Sequence, residues 1–226
     1  MRRGCGGTQR PAGDAPAGPV LARSGRFSRR RPARRSPCRR PRPRPRSRLP
    51  ERRFGRAIDL GCGTGLAGEV LRGRCGWLGG WDISAGMLRQ AEAKGLYDSL
   101  EKRDLSQLEI GAERYDLILA ADVFIYLGAL ERIIAWCAGS LAKGGVLAFT
   151  VEKGEAPLTL RESRRFAHSA EYLHGLLADA GLAEIRIGEA VLRHDRGEDI
   201  AGLVVTAALP QLHREGQGDG EEAVPA

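Results

Sequence analysis

A short apolar stretch, Ala57-Ile58-Asp59-Leu60, runs straight into Gly61-Cys62-Gly63-Thr64-Gly65, and a helical pattern takes over at once from Leu66 to Leu71. Three glycines at alternate positions let the backbone turn sharply and lie flat against a ligand, because no Cβ intervenes. The first turn of the helix offers N–H groups without intrahelical partners to polar or anionic ligand atoms. Strand, tight loop and helix in this order predict a nucleotide-type cofactor at the carboxyl end of the first strand of an α/β sheet. The spacing also excludes two common cofactor loops. A dinucleotide fingerprint has its third glycine where this chain has Leu66, and the Gly-Lys-Ser/Thr ending of a phosphate loop is missing.

The segments that follow alternate in the same way. A second strand, Trp77–Asp82, ends on an acid 21 residues after Gly61, where a carboxylate can accept hydrogen bonds from ribose hydroxyls. Ser84 is placed to cap a helix over Ala85–Lys94. A third strand is expected to run from Leu100 and end at Asp104. Tyr115–Val123 is almost continuously apolar, as suits a strand buried on both faces. A helix is expected near Leu130–Leu141, ended by Lys143-Gly144-Gly145, with a fifth strand over Val146–Glu152. Tyr172, Leu173, Leu176 and Leu177 share one face of a helix over Ser169–Ala180, which stops at Gly181. Two extended runs, Ala183–Leu192 and Ala201–Leu209, then flank the polar turn Arg193–Gly197. The order predicts an α/β fold: a doubly wound, Rossmann-like, mostly parallel sheet with a C-terminal antiparallel hairpin.

From about Arg56 to Pro210 these motifs resemble the class I S-adenosyl-L-methionine-dependent methyltransferases. Asp59-Leu60-Gly61-Cys62-Gly63-Thr64-Gly65 is a common form of that family's first motif. Gly80-Trp81-Asp82-Ile83-Ser84-Ala85-Gly86-Met87-Leu88 is similar to its second. The resemblance implies S-adenosyl-L-methionine as cofactor, held by Asp59, Gly61, Cys62, Gly63 and Gly65. Asp82 would take the ribose, Ile83 and Met87 would flank the adenosine, and Asp104 and Leu105 would meet the adenine, with Asp122 closing the set. Asp98 and Glu101 replace Asp104 if the third strand is shifted. Lys94–Asp98, Ala120–Gly128 and Arg165–Ser169 look like one subgroup, the bacterial predicted methyltransferases often found beside tetratricopeptide repeats, although no 34-residue repeat is visible here.

Methyl transfer from a sulfonium needs in-line positioning and exclusion of water more than covalent help. Acceptor-side residues are therefore sought by place. Tyr126 follows the fourth strand, Glu152 ends the fifth, and His168 is the one histidine before the last helix, with a pKa suited to taking a proton. Each has a plainer alternative: a half-buried aromatic, a solvated carboxylate and a structural histidine. Arg164 and Arg165 read either as a clamp for an anionic acceptor or as a solvated charge pair. After the fourth strand the chain reads Ala121-Asp122-Val123-Phe124. It lacks the Asn-Pro-Pro-Tyr type of motif expected of an amino-methylating nucleic-acid enzyme. Apart from Cys62, inside the glycine loop, no post-strand loop carries a cysteine for C5 chemistry. A small-molecule acceptor is the expectation.

Charge divides the chain. Residues 1–56 carry 19 Arg and only two acids, whereas the remainder holds 17 basic and 26 acidic residues. Nine of the 12 prolines also lie in the first 50 positions. Residues 1–52 are thus expected to be a disordered Arg/Pro-rich arm, 53–210 the methyltransferase domain and 211–226 a disordered acidic tail. The arm admits three readings. It is a nucleic-acid-binding segment, the one route to an RNA- or protein-directed enzyme or binder. It is a mitochondrial presequence, Arg-rich and acid-poor, although its prolines would break the amphipathic helix. Or it is an inert tail, or a GC-rich coding tract read from a misplaced start or a shifted frame. In the last case the N-terminal helices that cover the cofactor in the resembled family are missing, which leaves a cofactor-binding domain without activity as a further alternative. The five cysteines form no metal or disulfide pattern, which suits a reducing cytoplasm, and no stretch is long and apolar enough to span a membrane. Oligomeric state is not legible.

Overall fold

The computed structural model describes residues 52–195 and 197–211. The expected arm and acidic tail, apart from Arg52 and Gln211, lie outside the described residues. Five parallel strands form the centre of the sheet: β1 (Phe54–Leu60), β2 (Cys75–Asp82), β3 (Ser99–Lys102), β4 (Tyr115–Ala120) and β5 (Leu141–Lys153), in the order β3-β2-β1-β4-β5. Beyond β5 the direction reverses. β9 (Glu198–Ala208) runs antiparallel to β5 from Val146 opposite Ala208 to Glu152 opposite Gly202, and β8 (Ala183–Asp195) lies antiparallel on β9. The fold is the α/β type expected, mostly parallel with an antiparallel C-terminal hairpin.

Helices lie on both faces. Four are present among the described residues: α1 (Leu66–Leu71), α2 (Ala85–Ala93), α3 (Glu131–Ser140) and α4 (Ala170–Asp179). Alternate strand residues Ile58, Leu60, Ile118, Leu147 and Phe149 are buried with Ile133, Ile134 and Cys137 of α3 and Leu173 and Leu177 of α4. Each of these Leu and Ile side chains contributes roughly 2 kcal/mol by leaving water. On the other face a smaller cluster joins Ala57, Leu78 and Leu117 to Leu71 of α1 and to Tyr97. Where that face passes over β4, β5 and β9 it holds an open cavity of about 650 Å³ lined by Phe54, Leu117, Val146, Ala148, Thr206 and Ala208, among others.

Three local expectations are corrected. Lys143-Gly144-Gly145 does not end α3, because the chain is already extended at Leu141 (φ −72°, ψ 142°). Gly144 (φ +74°) instead shapes an irregular start of β5, where Tyr115 faces Leu141 but Leu117 faces Val146. Its N–H donates to the Leu209 carbonyl, and the Leu209 N–H donates to the Gly145 carbonyl, so the residue just after β9 rather than a helix end satisfies this backbone. β3 stops at Lys102, two residues before Asp104, which instead caps a 3-10 turn over Leu105–Gln107. The hairpin strands also reach further than expected, and Arg193, read as turn, pairs with Ile200 inside β8.

A small extra hairpin, β6 (Thr159–Leu160) with β7 (Phe166–His168), was not expected from the sequence. Once β4 has ended, Glu152 and Lys153 of β5 take Ala167 and His168 of β7 as parallel neighbours. The chain winds outward from β1 to β3 and then returns to place β4 on the other side of β1. That reversal opens a crevice at the carboxyl ends of β1 and β4, the usual ligand site of open α/β sheets.

Candidate cofactor and acceptor site

The loop after β1 takes the left-handed conformation at all three glycines, with φ of +66° at Gly61, +53° at Gly63 and +82° at Gly65. A side chain at Gly61 would be strained and would also collide, since a Cβ there would lie 2.4 Å from Cγ2 of Val123 in the loop after β4. Cys62 N–H donates to the Trp81 carbonyl at 3.0 Å and Gly65 N–H to the Cys62 carbonyl at 2.8 Å, which fixes the turn. Gly65 does the close packing that a dinucleotide loop assigns to its third glycine. A Cβ at Gly65 would sit 3.0 Å from the Tyr97 ring and 3.4 Å from Ala91, whereas Leu66 is 69 % exposed. Burial pushes the Cys62 thiol up to about 12, so it carries no thiolate at neutral pH.

Asp82 ties two elements together. Its Oδ2 accepts the Gly63 N–H at 2.9 Å and its Oδ1 accepts the Ser84 N–H at 2.7 Å. Ser84 in turn caps α2 by accepting the Met87 N–H. At this head of α2, Ile83 and Met87 leave apolar surface in water, 63 % and 43 % exposed. Asp104 lies across the β2–β3 end of the sheet, with its carboxylate engaged by its own turn: it accepts from the Ser106 N–H (2.9 Å), the Ser106 hydroxyl (2.7 Å) and Gln107 Nε2 (3.3 Å). These bonds hold its pKa below the usual carboxylate range. Leu105 follows, half-buried against the core. Of the alternatives to Asp104, Asp98 is spent on structure, bonding the Leu78 N–H and the Arg72 guanidinium, and Glu101 pairs with Arg103.

Asp59 is buried beneath the loop, 1 % exposed, and accepts the Tyr97 hydroxyl proton at 2.7 Å. Desolvation raises its pKa to about 7, opposed by the Tyr97 hydrogen bond and reinforced by the nearby Asp82 charge. The sign of the stability effect follows. Below about pH 4 both folded and unfolded states bind this proton. From there to about pH 7 the unfolded chain releases it while the folded one keeps it, so stability falls as pH rises; above that the loss is constant. Asp59→Asn keeps an acceptor for Tyr97 and removes the titration. Denaturant unfolding should show the variant equal to the parent near pH 4 and about 2–4 kcal/mol more stable at pH 8. A difference that does not change with pH contradicts this assignment.

Asp122, expected among the cofactor residues, and the acceptor-side residues are held quite differently from one another. Asp122, just past β4, has a strained φ of +55°, and its N–H is taken by the Thr150 hydroxyl at 2.8 Å. Arg193, from β8, reaches over to Asp122 Oδ1 at 2.6 Å and also grips Glu152. Arg161 holds the other Glu152 oxygen at 3.1 Å. Glu152, expected as a carboxylate at the open edge, is 2 % exposed and paired, which is how a buried charge is tolerated. Neither Arg193 nor Arg161 stands out in the sequence; long-range ion pairs between separate loops leave no local pattern. An open cavity of about 630 Å³ adjoins this cluster, lined by Glu152, Arg161, Arg165, Glu198 and Asp199 among others. Tyr126 is 58 % exposed, with the Arg165 guanidinium 6.0 Å from its ring centre.

His168 is fully buried on β7, not open to an acceptor. Its Nε2 meets the Gly128 carbonyl at 2.9 Å, and its ring stacks on Tyr172 at 5.9 Å. Burial lowers its pKa below the ordinary imidazole value, so it remains neutral and donates from Nε2 to Gly128. Its role here is to hold the segment after β4, whose next turn Tyr172 also grips by accepting the Leu130 N–H at 3.1 Å.

This arrangement can be set beside known proteins. Residues 58–149 match the methyltransferase domain family. That span runs from β1 through the loop, Asp82 and β4 into β5. Among curated proteins, malonyl-[acyl-carrier protein] O-methyltransferase of Enterobacter lignolyticus is 28 % identical over 151 residues, covering 65 % of this chain and 60 % of its own length. Trans-aconitate 2-methyltransferase of Rhizobium rhizogenes is 36 % identical over 104 residues, 45 % of this chain and 40 % of that protein. The chain thus spans three fifths or less of these relatives. In fold it is similar to the N-methyltransferase NodS of Bradyrhizobium japonicum, solved in complex with S-adenosyl-L-homocysteine, with a TM-score of 0.58, 23 % identity, and coverage of 70 % of this chain and 80 % of that one.

Proposed function

We propose that this chain is a class I S-adenosyl-L-methionine-dependent methyltransferase acting on a small molecule in the cytoplasm, of the subgroup often found beside tetratricopeptide repeats. The observation that carries the reading is the switch-point loop: three left-handed glycines, with Asp82 bonded to the Gly63 N–H at 2.9 Å. The site fits the cofactor. A Cβ at Gly63 would meet only the Gly61 carbonyl, at 4.0 Å, so open space faces the loop. Ile83 and Met87 present the apolar surface that an adenine ring would cover. In this reading the backbone of Gly61, Cys62, Gly63 and Gly65 lies along the methionine part. Asp82 takes the ribose, Asp104 and Leu105 border the adenine, and Asp122 stands at the methionine end. When bound, the cofactor supplies an activated methyl group on sulfur.

The protein's own residues then orient, shield and select. Neither His168, sealed and neutral, nor Glu152, clamped by two guanidinium groups, is free to take a proton from an acceptor. Tyr126, the exposed member of the set, lines the approach. An acceptor whose nucleophile is already ionised at neutral pH, a carboxylate above all, needs no base. The names of two of the curated relatives, one acting on a malonyl group and one on trans-aconitate, support the same class. The test is release of S-adenosyl-L-homocysteine from a panel of small carboxylates, amines, phenols and alcohols. Turnover should appear first among the carboxylates. Methylation confined to alcohols and phenols, which must lose a proton, would contradict this assignment of the acceptor.

A further inference from the structure

Tyr97 lies between α2 and β3, in a stretch with no place in either cofactor motif, yet four separate elements converge on it. Its hydroxyl donates to Asp59 of β1 at 2.7 Å and accepts the Gly68 N–H of α1 at 3.1 Å. Its ring occupies the space left by three glycines. A Cβ would come within 3.0 Å of it at Gly65 in the loop, 2.7 Å at Gly68 in α1 and 2.9 Å at Gly80 in β2. Gly68 and Gly80 have no positive φ to explain them, so room for this ring is what their lack of a side chain provides. α1 is only six residues long and its start carries no side-chain cap. The Tyr97 hydroxyl therefore supplies a fixed point to a helix too short to hold itself.

We propose that Tyr97 is a positioning residue for the cofactor: it pins the glycine loop from beneath by joining the Asp59 carboxylate to the first turn of α1. This rests on the cofactor reading given above. The titratable groups that bear on Asp59 are Tyr97 itself, Asp82 at the end of β2 and Cys62 in the loop. The Tyr97 hydrogen bond favours the ionised carboxylate, whereas burial and the Asp82 charge oppose it. An ionised Asp59 beneath the loop attracts the cationic amino end of the cofactor, and a protonated one does not. Losing the hydroxyl should therefore weaken binding and move its pH dependence upward.

The experiment titrates S-adenosyl-L-homocysteine calorimetrically into the full chain and into Tyr97→Phe and Asp59→Asn variants, between pH 6 and pH 9, with thermal unfolding alongside. Phenylalanine preserves the ring that Gly65, Gly68 and Gly80 surround, so the fold should persist. The parent should bind more weakly below about pH 7, the pKa of Asp59. In Tyr97→Phe the affinity should fall about tenfold at pH 7, as loss of one hydrogen bond to a charged group implies. Its pH step should move to higher pH, and in Asp59→Asn the step should vanish. If the parent binds but Tyr97→Phe matches it in affinity and pH profile, the positioning role is overturned while the cofactor reading stands. Weakening of Tyr97→Phe by an equal factor at every pH would overturn that role as well. If the folded parent binds nothing across the range, the cofactor reading itself fails.

Discussion

Asp82→Ala is expected to weaken S-adenosyl-L-homocysteine binding by about 100-fold or more while leaving the chain folded. The carboxylate does two jobs at once. It holds the Gly63 N–H and the Ser84 N–H, fixing the loop against the head of α2, and in the proposed complex it also accepts the ribose hydroxyls. Hydrogen bonds to a charged acceptor are worth about 1.5–3 kcal/mol each, so losing two toward the ligand accounts for the factor. Asp82→Asn retains one acceptor oxygen and should fall between the two. An alanine variant that binds as tightly as the parent would remove the ribose from this residue.

The largest effect on stability should come from Gly61→Ala. Left-handed backbone costs a non-glycine residue about 1–2 kcal/mol, and the new Cβ would be driven to 2.4 Å from Val123 Cγ2. Crowding of that kind adds roughly 1–3 kcal/mol. Gly63→Ala is the control, since φ is also positive there but the nearest atom to its Cβ is 4.0 Å away. Denaturant unfolding should therefore show about 3 kcal/mol or more lost at Gly61 and about 1–2 kcal/mol at Gly63. Equal losses would mean that the contact between the β1 and β4 loops does not constrain the fold.

These two residues mark what could be read from the amino acids alone. The glycine loop and the acid that follows it are local signals, strand followed by turn chemistry, and the structure bonds one to the other. The central strands were legible because Ala57–Leu60 leads straight into the glycine loop and Tyr115–Ala120 is almost continuously apolar. Local pattern failed where the partner is distant in sequence. β6 and β7 are two and three residues long, too short for periodicity to register, and form because β5 outruns β4. Gly144 looked like a helix cap because nothing nearby announced that Leu209 would take up its backbone. Arg193 read as turn because it opens the polar run Arg193–Gly197, and nothing local announced that its partners, Asp122 and Glu152, lie beyond β4 and on β5. Tyr97 was visible only as wording shared with a family. Its meaning lies in glycines on three other elements.

The most direct measurement is a calorimetric titration of S-adenosyl-L-methionine and S-adenosyl-L-homocysteine into the full chain, with NAD as the comparison ligand. Micromolar binding of both sulfur compounds at a single site is expected, with none of NAD and loss of the signal in Asp82→Ala. Folded protein that takes up neither compound, or that binds NAD at the same loop, would contradict the assignment of this loop to S-adenosyl-L-methionine.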